Sequence, residues 1–208
     1  MRHFPQTDRS LKIAVVGTGI AGLSAAWLLS QRHEVTVFEA DNRTGGHSHT
    51  VTSGDAAVDT GFIVYNEATY PNLAALFAHL GVPTKASDMS FAVSMDEGQL
   101  EYAGTNLAGL FAQRSNLASP RFWSMLRDLV RFYRQAPSGV RNLDPSASLN
   151  DYLDSAGFGR AFREDHLYPM AAAIWSTPAL EIGNYPALSF VRFCENHGLL
   201  KFMRRPVW

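Results

Sequence analysis

From about residue 106 the pattern of apolar positions changes from short runs punctuated by glycine to recurrences every three or four places. Before that point, LKIAVVG (Leu11 to Gly17) is an apolar run rich in β-branched residues, and it predicts a buried strand ending on glycine. LSAAWLLSQ predicts a helix with Ala and Leu on its packing face, and the alternation in HEVTVFE (His33 to Glu39) predicts a second strand. A small strand comes next in AAVD, and PNLAALFAHLG predicts a helix with Pro71 near its start and Gly81 closing it. SFAVSMDEGQLEYA (90 to 103) alternates on both sides of DEG, the mark of a β-hairpin.

The later half reads as helices. NLAGLFAQRSNLASPRFWSMLRDLVRFYRQAP predicts two, the second beginning near Ser119-Pro120 and ending before Pro137. SASLNDYLDSAGF predicts a short helix opened by Ser148 and followed by Gly157, and FREDHLYPMAAAIWSTP and PALSFVRFCENHGLL add two helical stretches. The chain stops at Trp208 in strand-like sequence. No repeat or low-complexity segment interrupts this pattern.

Composition narrows the field. The 208 residues are 46% hydrophobic and 18% charged, which describes a globular chain. With 18 Lys plus Arg against 19 Asp plus Glu, no general electrostatic attraction to nucleic acid is expected. Cys194 is the single cysteine, so an intrachain disulfide is excluded and a reducing compartment, the cytoplasm, is the expectation. MRHFPQTDRSLK has no apolar stretch of signal-peptide length, no run is long enough to span a membrane, and contact with a membrane surface stays open.

GTGIAG (Gly17 to Gly22) lies between the first strand and the first helix. Together with the second strand it makes a strand, glycine turn, helix, strand unit of about thirty residues, the context of a dinucleotide-binding fingerprint. Gly17 permits the tight turn. Gly19 lets a pyrophosphate reach the backbone amides, which Ile20 and Ala21 continue into the helix, and Gly22 lets helix and strand pack closely. Glu39 ends the second strand 22 residues after Gly17, placed to accept hydrogen bonds from ribose hydroxyls and to repel a 2′-phosphate; Ala40 is its neighbour.

RTGGHSHT (43 to 50) then needs explanation. His47 and His49 would share a face of a strand and could together reach a metal ion. A working site needs a third ligand, which the sequence does not single out, so no metal is expected. The string VVGTGIAGLSAAWLL, then VTVFEA, then RTGGH resembles the FAD-dependent amine oxidase superfamily, which includes protoporphyrinogen oxidase and phytoene-desaturase-like enzymes. AAVDTGFIVYNEATYPNLAALFAHLGV resembles it too, and the wording of GGHSHTV and GFIVYNEATYPNL is most similar to a branch of NAD/FAD-binding proteins.

The resemblance implies an R-x-G-G-R motif lying along the cofactor, kept here as Arg43, Gly45 and Gly46 with His47 in place of the second arginine. It implies close backbone approach at Gly61 and a border to the isoalloxazine at Phe62. It implies an α/β fold, a Rossmann-like FAD-binding domain of the glutathione-reductase-like, amine oxidase type over 1–88, with a partly helical substrate domain over 89–208. Family members run about as far again, so the chain is expected to match an N-terminal portion.

The implied activity is flavin-dependent oxidation of an apolar or amine substrate, a lipid or polyene among the small molecules in view. The residues leave two other readings open: a nicotinamide-dependent dehydrogenase built on GTGIAG and Glu39, and a fragment that binds nucleotide without catalysis. Tyr168, Met170, Trp175, Tyr185 and Phe190 are candidates for an apolar cavity, with core packing as the plainer reading. Arg121, Arg127, Arg131 and Arg134 could meet an acidic headgroup, against which stands a solvated helix face. Cys194 with His197 is a weak candidate nucleophile and base, Ser24 belongs to the dinucleotide helix, and Asp128, Glu164 and Asp165 form no acid pair. No catalytic residue and no oligomeric state can be read.

Overall fold

The structure, a computed structural model, describes residues 9–62, 64–87 and 89–201. The strand-like tail ending at Trp208 lies outside the described residues. The chain forms two compact units that divide between Val64 and Tyr65.

In the first unit, β1 (Lys12–Val16) and β2 (Glu34–Phe38) pair in parallel with Val16 opposite Phe38, and α1 (Ile20–Ser30) connects them. The Gly17 amide donates to the Phe38 carbonyl at 2.7 Å, adding one rung before the chain turns. β3 (Thr50–Ser53) and β4 (Ala56–Asp59) form an antiparallel hairpin. Val15 and Ala26 are the buried apolar side chains here, while Val16, Leu28 and Phe38 are exposed. β1 is apolar after Lys12 whereas β2 alternates, with Glu34 and Thr36 on one face and Val35 and Val37 on the other, and α1 packs against both strands.

The second unit holds the larger core. α2 (Pro71–Leu80) ends at Gly81, which takes the left-handed conformation. β5 (Ala92–Met95) and β6 (Leu100–Ala103) form the hairpin predicted around DEG. α3 (Leu107–Leu110) is followed by a 3-10 turn, and the long α4 (Pro120–Gly139) presents Phe122, Met125, Phe132, Tyr133 and Ala136 at helical spacing to the interior. Against them pack α5 (Leu149–Ser155), α6 (Arg160–Phe162) with a π turn after it, α7 (Tyr168–Trp175), α8 (Ala179–Ile182) and α9 (Ala187–Asn196). α5 opens with a full capping box: Ser148 accepts from the Asp151 amide at 3.1 Å, and the Asp151 carboxylate accepts from the Ser148 amide at 2.9 Å.

Two helix expectations are corrected. The stretch from 106 does not make a full helix, because its amide side chains serve the neighbouring hairpin. Gln113 donates to the Gly98 carbonyl and accepts from the Glu101 amide, and Asn116 donates to the Glu101 carbonyl, each at 2.9 Å. α4 in turn does not end before Pro137 but runs through it to Gly139. Proline this close to a helix end removes one backbone bond, and Val140 still donates to Ala136 at 3.1 Å. His49 precedes β3 instead of lying within a strand.

Leu153 is fully buried and Leu180 is 95% exposed, although both are helical leucines. Leu153→Ala is expected to lower unfolding stability by about 2–5 kcal/mol. Leu180→Ala should stay within about 0.5 kcal/mol. Denaturant unfolding of both variants checks the assigned core.

Candidate functional site: the double glycine loop

The first unit brings the glycine loop, the end of β2 and the RTGG turn to one place. Gly17 leaves β1 with φ +92°, and Gly19 is the N-cap of α1. Among the described residues no side chain caps α1, so the amides opening it at Ile20 and Ala21 are not claimed by a capping side chain. That arrangement favours an anion. A Cβ on Gly22 would lie 2.0 Å from the Gly17 carbonyl oxygen, which shows how closely helix and loop pack.

The RTGG turn lies directly against this loop. Gly45 and Gly46 have φ of +111° and +58°, and a Cβ on Gly46 would come 2.8 Å from the Gly19 Cα. The Gly45 amide donates to the Thr18 carbonyl at 3.1 Å. Arg43 folds back over its own turn, donating to the Gly46 carbonyl at 2.7 Å and the Ser48 carbonyl at 3.3 Å. Gly61 sits under the turn: a Cβ there would be 1.8 Å from the His47 carbonyl oxygen. Phe62 is 39% exposed beside it in sequence.

Glu39 is exposed and its carboxylate accepts four hydrogen bonds. Oε1 takes the Ala40 and Asp41 amides at 2.8 and 3.0 Å. Oε2 takes the Thr18 amide at 2.8 Å and the Thr18 hydroxyl in a short bond. The Thr18 hydroxyl first, then the backbone amides, hold the carboxyl down from 4.5 to about 2. Thr18 is the residue that reading the glycines misses: it is 4% exposed and stands between two of them. The signal was a hydroxyl at a fingerprint position that does not require one.

His47 is exposed. His49 is tied to Thr60, whose amide and hydroxyl donate to its carbonyl at 2.8 and 2.9 Å and whose hydroxyl lies 3.3 Å from its Nδ1. Among the described residues no group of three His, Cys, Asp or Glu side chains could hold a metal ion.

In the second unit the aromatic candidates follow the plainer reading, core packing. Met170 and Phe190 are buried in the core, with Tyr168, Trp175 and Tyr185 packed on it. Trp175 stacks on Tyr185 at 9° between planes, and Tyr168 donates to Asn150 at 2.5 Å. Two of the four arginines do more than line a solvated helix face. Arg121 binds Asp165 through two bonds of 2.7 Å and reaches Glu164 at 3.1 Å. Arg131 lies 4.1 Å over the Phe158 ring and donates to the Gly157 carbonyl at 2.7 Å. These two join helices, whereas Arg127 and Arg134 are exposed. Burial pushes the Cys194 thiol up to about 12, and His197 is engaged at 3.0 Å with Tyr70, so the two form no nucleophile and base pair. A cleft of about 510 Å³ opens elsewhere in this unit, lined by Met95, Gln99, Asn116, Arg121, Phe122 and Asp165.

Comparison with known proteins agrees with the nucleotide geometry. Residues 15–80 match the family model of the NAD(P)-binding Rossmann-like domain. Protoporphyrinogen oxidase 2, chloroplastic/mitochondrial, of Arabidopsis thaliana is 41% identical over 75 residues, which is 36% of this chain and 15% of that protein. L-amino-acid oxidase of Mus musculus is 52% identical over 46 residues, 22% of this chain and 7% of that protein. Among solved structures, a putrescine oxidase double mutant matches with TM-score 0.63 and 19% identity, covering 96% of this chain and 46% of that chain. The chain thus spans less than half the length of that structural relative. Among the described residues no helix is long and apolar enough to cross a membrane.

Gly22→Ala and Gly17→Ala should fail for different reasons. A methyl at Gly22 collides with the Gly17 carbonyl, whereas one at Gly17 meets nothing within 4 Å but sits at φ +92°. About 2–3 kcal/mol or more is expected for the first. The second should cost about 1–2 kcal/mol from torsion alone. Thermal unfolding followed through the first unit distinguishes them. The Glu39 carboxyl is depressed in the folded chain, so its contribution to stability is complete above about pH 4.5 and is lost as pH falls towards about 2. Replacing it with Gln should flatten the acid limb of a stability-versus-pH curve across that interval.

Over residues 15–80 the chain is thus similar to the NAD(P)-binding Rossmann-like domain, and the curated relatives it matches over part of its length include oxidases.

Proposed function

We propose that the chain binds FAD and contributes the dinucleotide-binding part of a flavin-dependent oxidoreductase. The observation that carries this is the contact of the RTGG turn with the glycine loop, backbone on backbone at Gly46 and Gly19. A nicotinamide site is served by the first loop alone. A second glycine turn packed on it suits a longer dinucleotide whose path continues beyond the first helix terminus.

In this reading Gly17, Gly19, Ile20, Ala21 and Gly22 face the pyrophosphate with backbone amides and the start of α1. Glu39, with Ala40 beside it, receives the adenosine ribose. Arg43, Gly45, Gly46 and His47 line the path of the cofactor, and Gly61 and Phe62 stand nearer the flavin end. Arg43 keeps its turn in shape by donating to the Gly46 and Ser48 carbonyls. FAD, when bound, supplies a ring that accepts a hydride from a substrate C–H bond. The protein's own task is to hold that ring, fix its ribose and keep 2′-phosphorylated nucleotides away through the ionised Glu39.

The substrate is an amine or a more apolar small molecule, as the names of the related oxidases and of a diapophytoene desaturase suggest. The division of labour proposed is a cofactor domain over 1–88 and a substrate side over 89–208. No side chain is assigned as a catalytic acid or base.

The test is the visible spectrum of the purified 208-residue chain with added FAD, beside the same measurement with NAD+ by calorimetry. A flavin band that stays through gel filtration and is lost in Gly46→Val, where a side chain would enter the contact with Gly19, is the expected result. A chain that takes up NAD+ and no FAD would replace this reading with the dehydrogenase one.

A further inference from the structure

One side chain joins the Glu39 carboxylate to the RTGG turn, and neither glycine motif requires it. We propose that Thr18 is a positioning residue for the nucleotide, its hydroxyl locking the ribose-binding carboxylate and the second glycine turn to the first. The proposal rests on the FAD reading of the site.

The geometry is specific to a hydroxyl. Thr18 Oγ1 donates to Glu39 Oε2 and accepts from the Gly45 amide at 3.3 Å, so the group gives a proton on one side and takes one on the other. The backbone of the same residue repeats both links, its amide donating to Oε2 at 2.8 Å and its carbonyl accepting from Gly45 at 3.1 Å. Thr18 is therefore bound twice to β2's end, and to the turn through one Gly45 N–H shared between its hydroxyl and its carbonyl, while 4% exposed.

The other two donors on Glu39 come from Ala40 and Asp41, its immediate successors in the chain. They hold the carboxylate to its own turn. The donors that orient it towards the glycine loop, 21 residues away, both belong to Thr18. A hydrogen bond to a charged acceptor contributes roughly twice what a neutral one does, so the hydroxyl is a substantial part of that orientation. Every group that depresses the Glu39 carboxyl is a hydrogen-bond donor, with the Thr18 hydroxyl first among them. Removing it should therefore move the titration as well as the binding.

Valine keeps the branched shape of threonine and deletes the hydroxyl; serine keeps the hydroxyl. The 208-residue wild type, Thr18→Val, Thr18→Ser, Glu39→Gln and the Thr18→Val/Glu39→Gln double variant would be titrated with ADP and with FAD by calorimetry. The Glu39 carboxyl carbon would be followed by NMR against pH in the empty protein. Thr18→Val should weaken ADP binding about tenfold or more, the equivalent of losing one charge-assisted hydrogen bond. It should also raise the Glu39 midpoint towards 4.5. Thr18→Ser should restore both to within about threefold and a few tenths of a pH unit. Acting through Glu39, Thr18→Val should add less in the Glu39→Gln background than in the wild type.

ADP binding by Thr18→Val equal to wild type would overturn the proposal. So would tighter binding, which would make the hydroxyl a competitor of the ribose, and so would an unmoved Glu39 midpoint. Should Thr18→Val not fold, a Thr18→Ser chain with Glu39 titrating as in wild type supports the hydroxyl, and one with the midpoint raised refutes it. A wild type that binds neither ADP nor FAD removes the nucleotide reading, and the positioning role falls with it, while a low Glu39 midpoint that rises in Thr18→Val would still identify the bond itself.

Discussion

Backbone lies directly on backbone only where side chains are missing, and three such contacts shape the nucleotide end of this chain. Gly22 packs on the Gly17 carbonyl, Gly46 on the Gly19 Cα and Gly61 on the His47 carbonyl. Each contact joins segments that ordinary residues would hold apart by a side chain's width. The first seats α1 on the loop. The second lays the RTGG turn along it, and the third brings the chain back under that turn after β4. Polar bonds then fix what the close approach allows: Gly45 to Thr18, Thr18 to Glu39, and Arg43 to the carbonyls of its own turn. The amides that open α1, at the exposed residues Ile20 and Ala21, are left without a capping side chain.

The second unit solves a different problem, how to keep carboxylates inside an aromatic core. Asp165 is nearly buried and receives two bonds from Arg121, whose other contact is Glu164. Asp128 is 1% exposed on the apolar stripe of α4. It accepts from the Gly159 amide at 2.8 Å, at the start of α6, and lies 3.7 Å from Arg131. A buried charge without partners is costly, so each acid has been given a cation together with a hydrogen bond that suits its position. These arginines hold α4 to the segments that come after it. That role explains why their spacing of three and four on one helix is not the signature of a surface for anions.

Elements whose signal is local were legible in the sequence. β1, α1 and β2 follow from an apolar run, a glycine turn and an alternation, and the α5 cap follows from Ser148 and Asp151 standing three apart. The hairpin around DEG and the helix closed by Gly81 are of the same kind. What escaped was set by partners distant in sequence. Gln113 and Asn116 have acceptable helix propensity, yet the free groups of β6 and its turn claim them. Pro137 is tolerated because α4 is already ending where it falls. Thr18 looked like filler between glycines, and its meaning depends on a carboxylate 21 residues on and an amide 27 residues on. Tyr168, Trp175 and Phe190 have the composition of a cavity wall and the contacts of a core, a difference that composition cannot carry.

Long-range placement of this kind also underlies the nucleotide discrimination proposed for this site. An ionised carboxylate at the end of β2 repels a 2′-phosphate but treats the ribose of NAD and of FAD alike. In the proposed site Glu39 would therefore select against phosphorylated nicotinamide cofactors without distinguishing NAD from FAD. The discriminating feature has to lie past the ribose, along the pyrophosphate and the half of the cofactor beyond it. There the chain places a second glycine turn whose φ values of +111° and +58° are disfavoured for any residue with a side chain. Two consecutive glycines in that conformation, pressed on the first loop, are more than a connection between β2 and β3 requires. A surface of bare backbone continuing past the first helix terminus is what a longer dinucleotide would use.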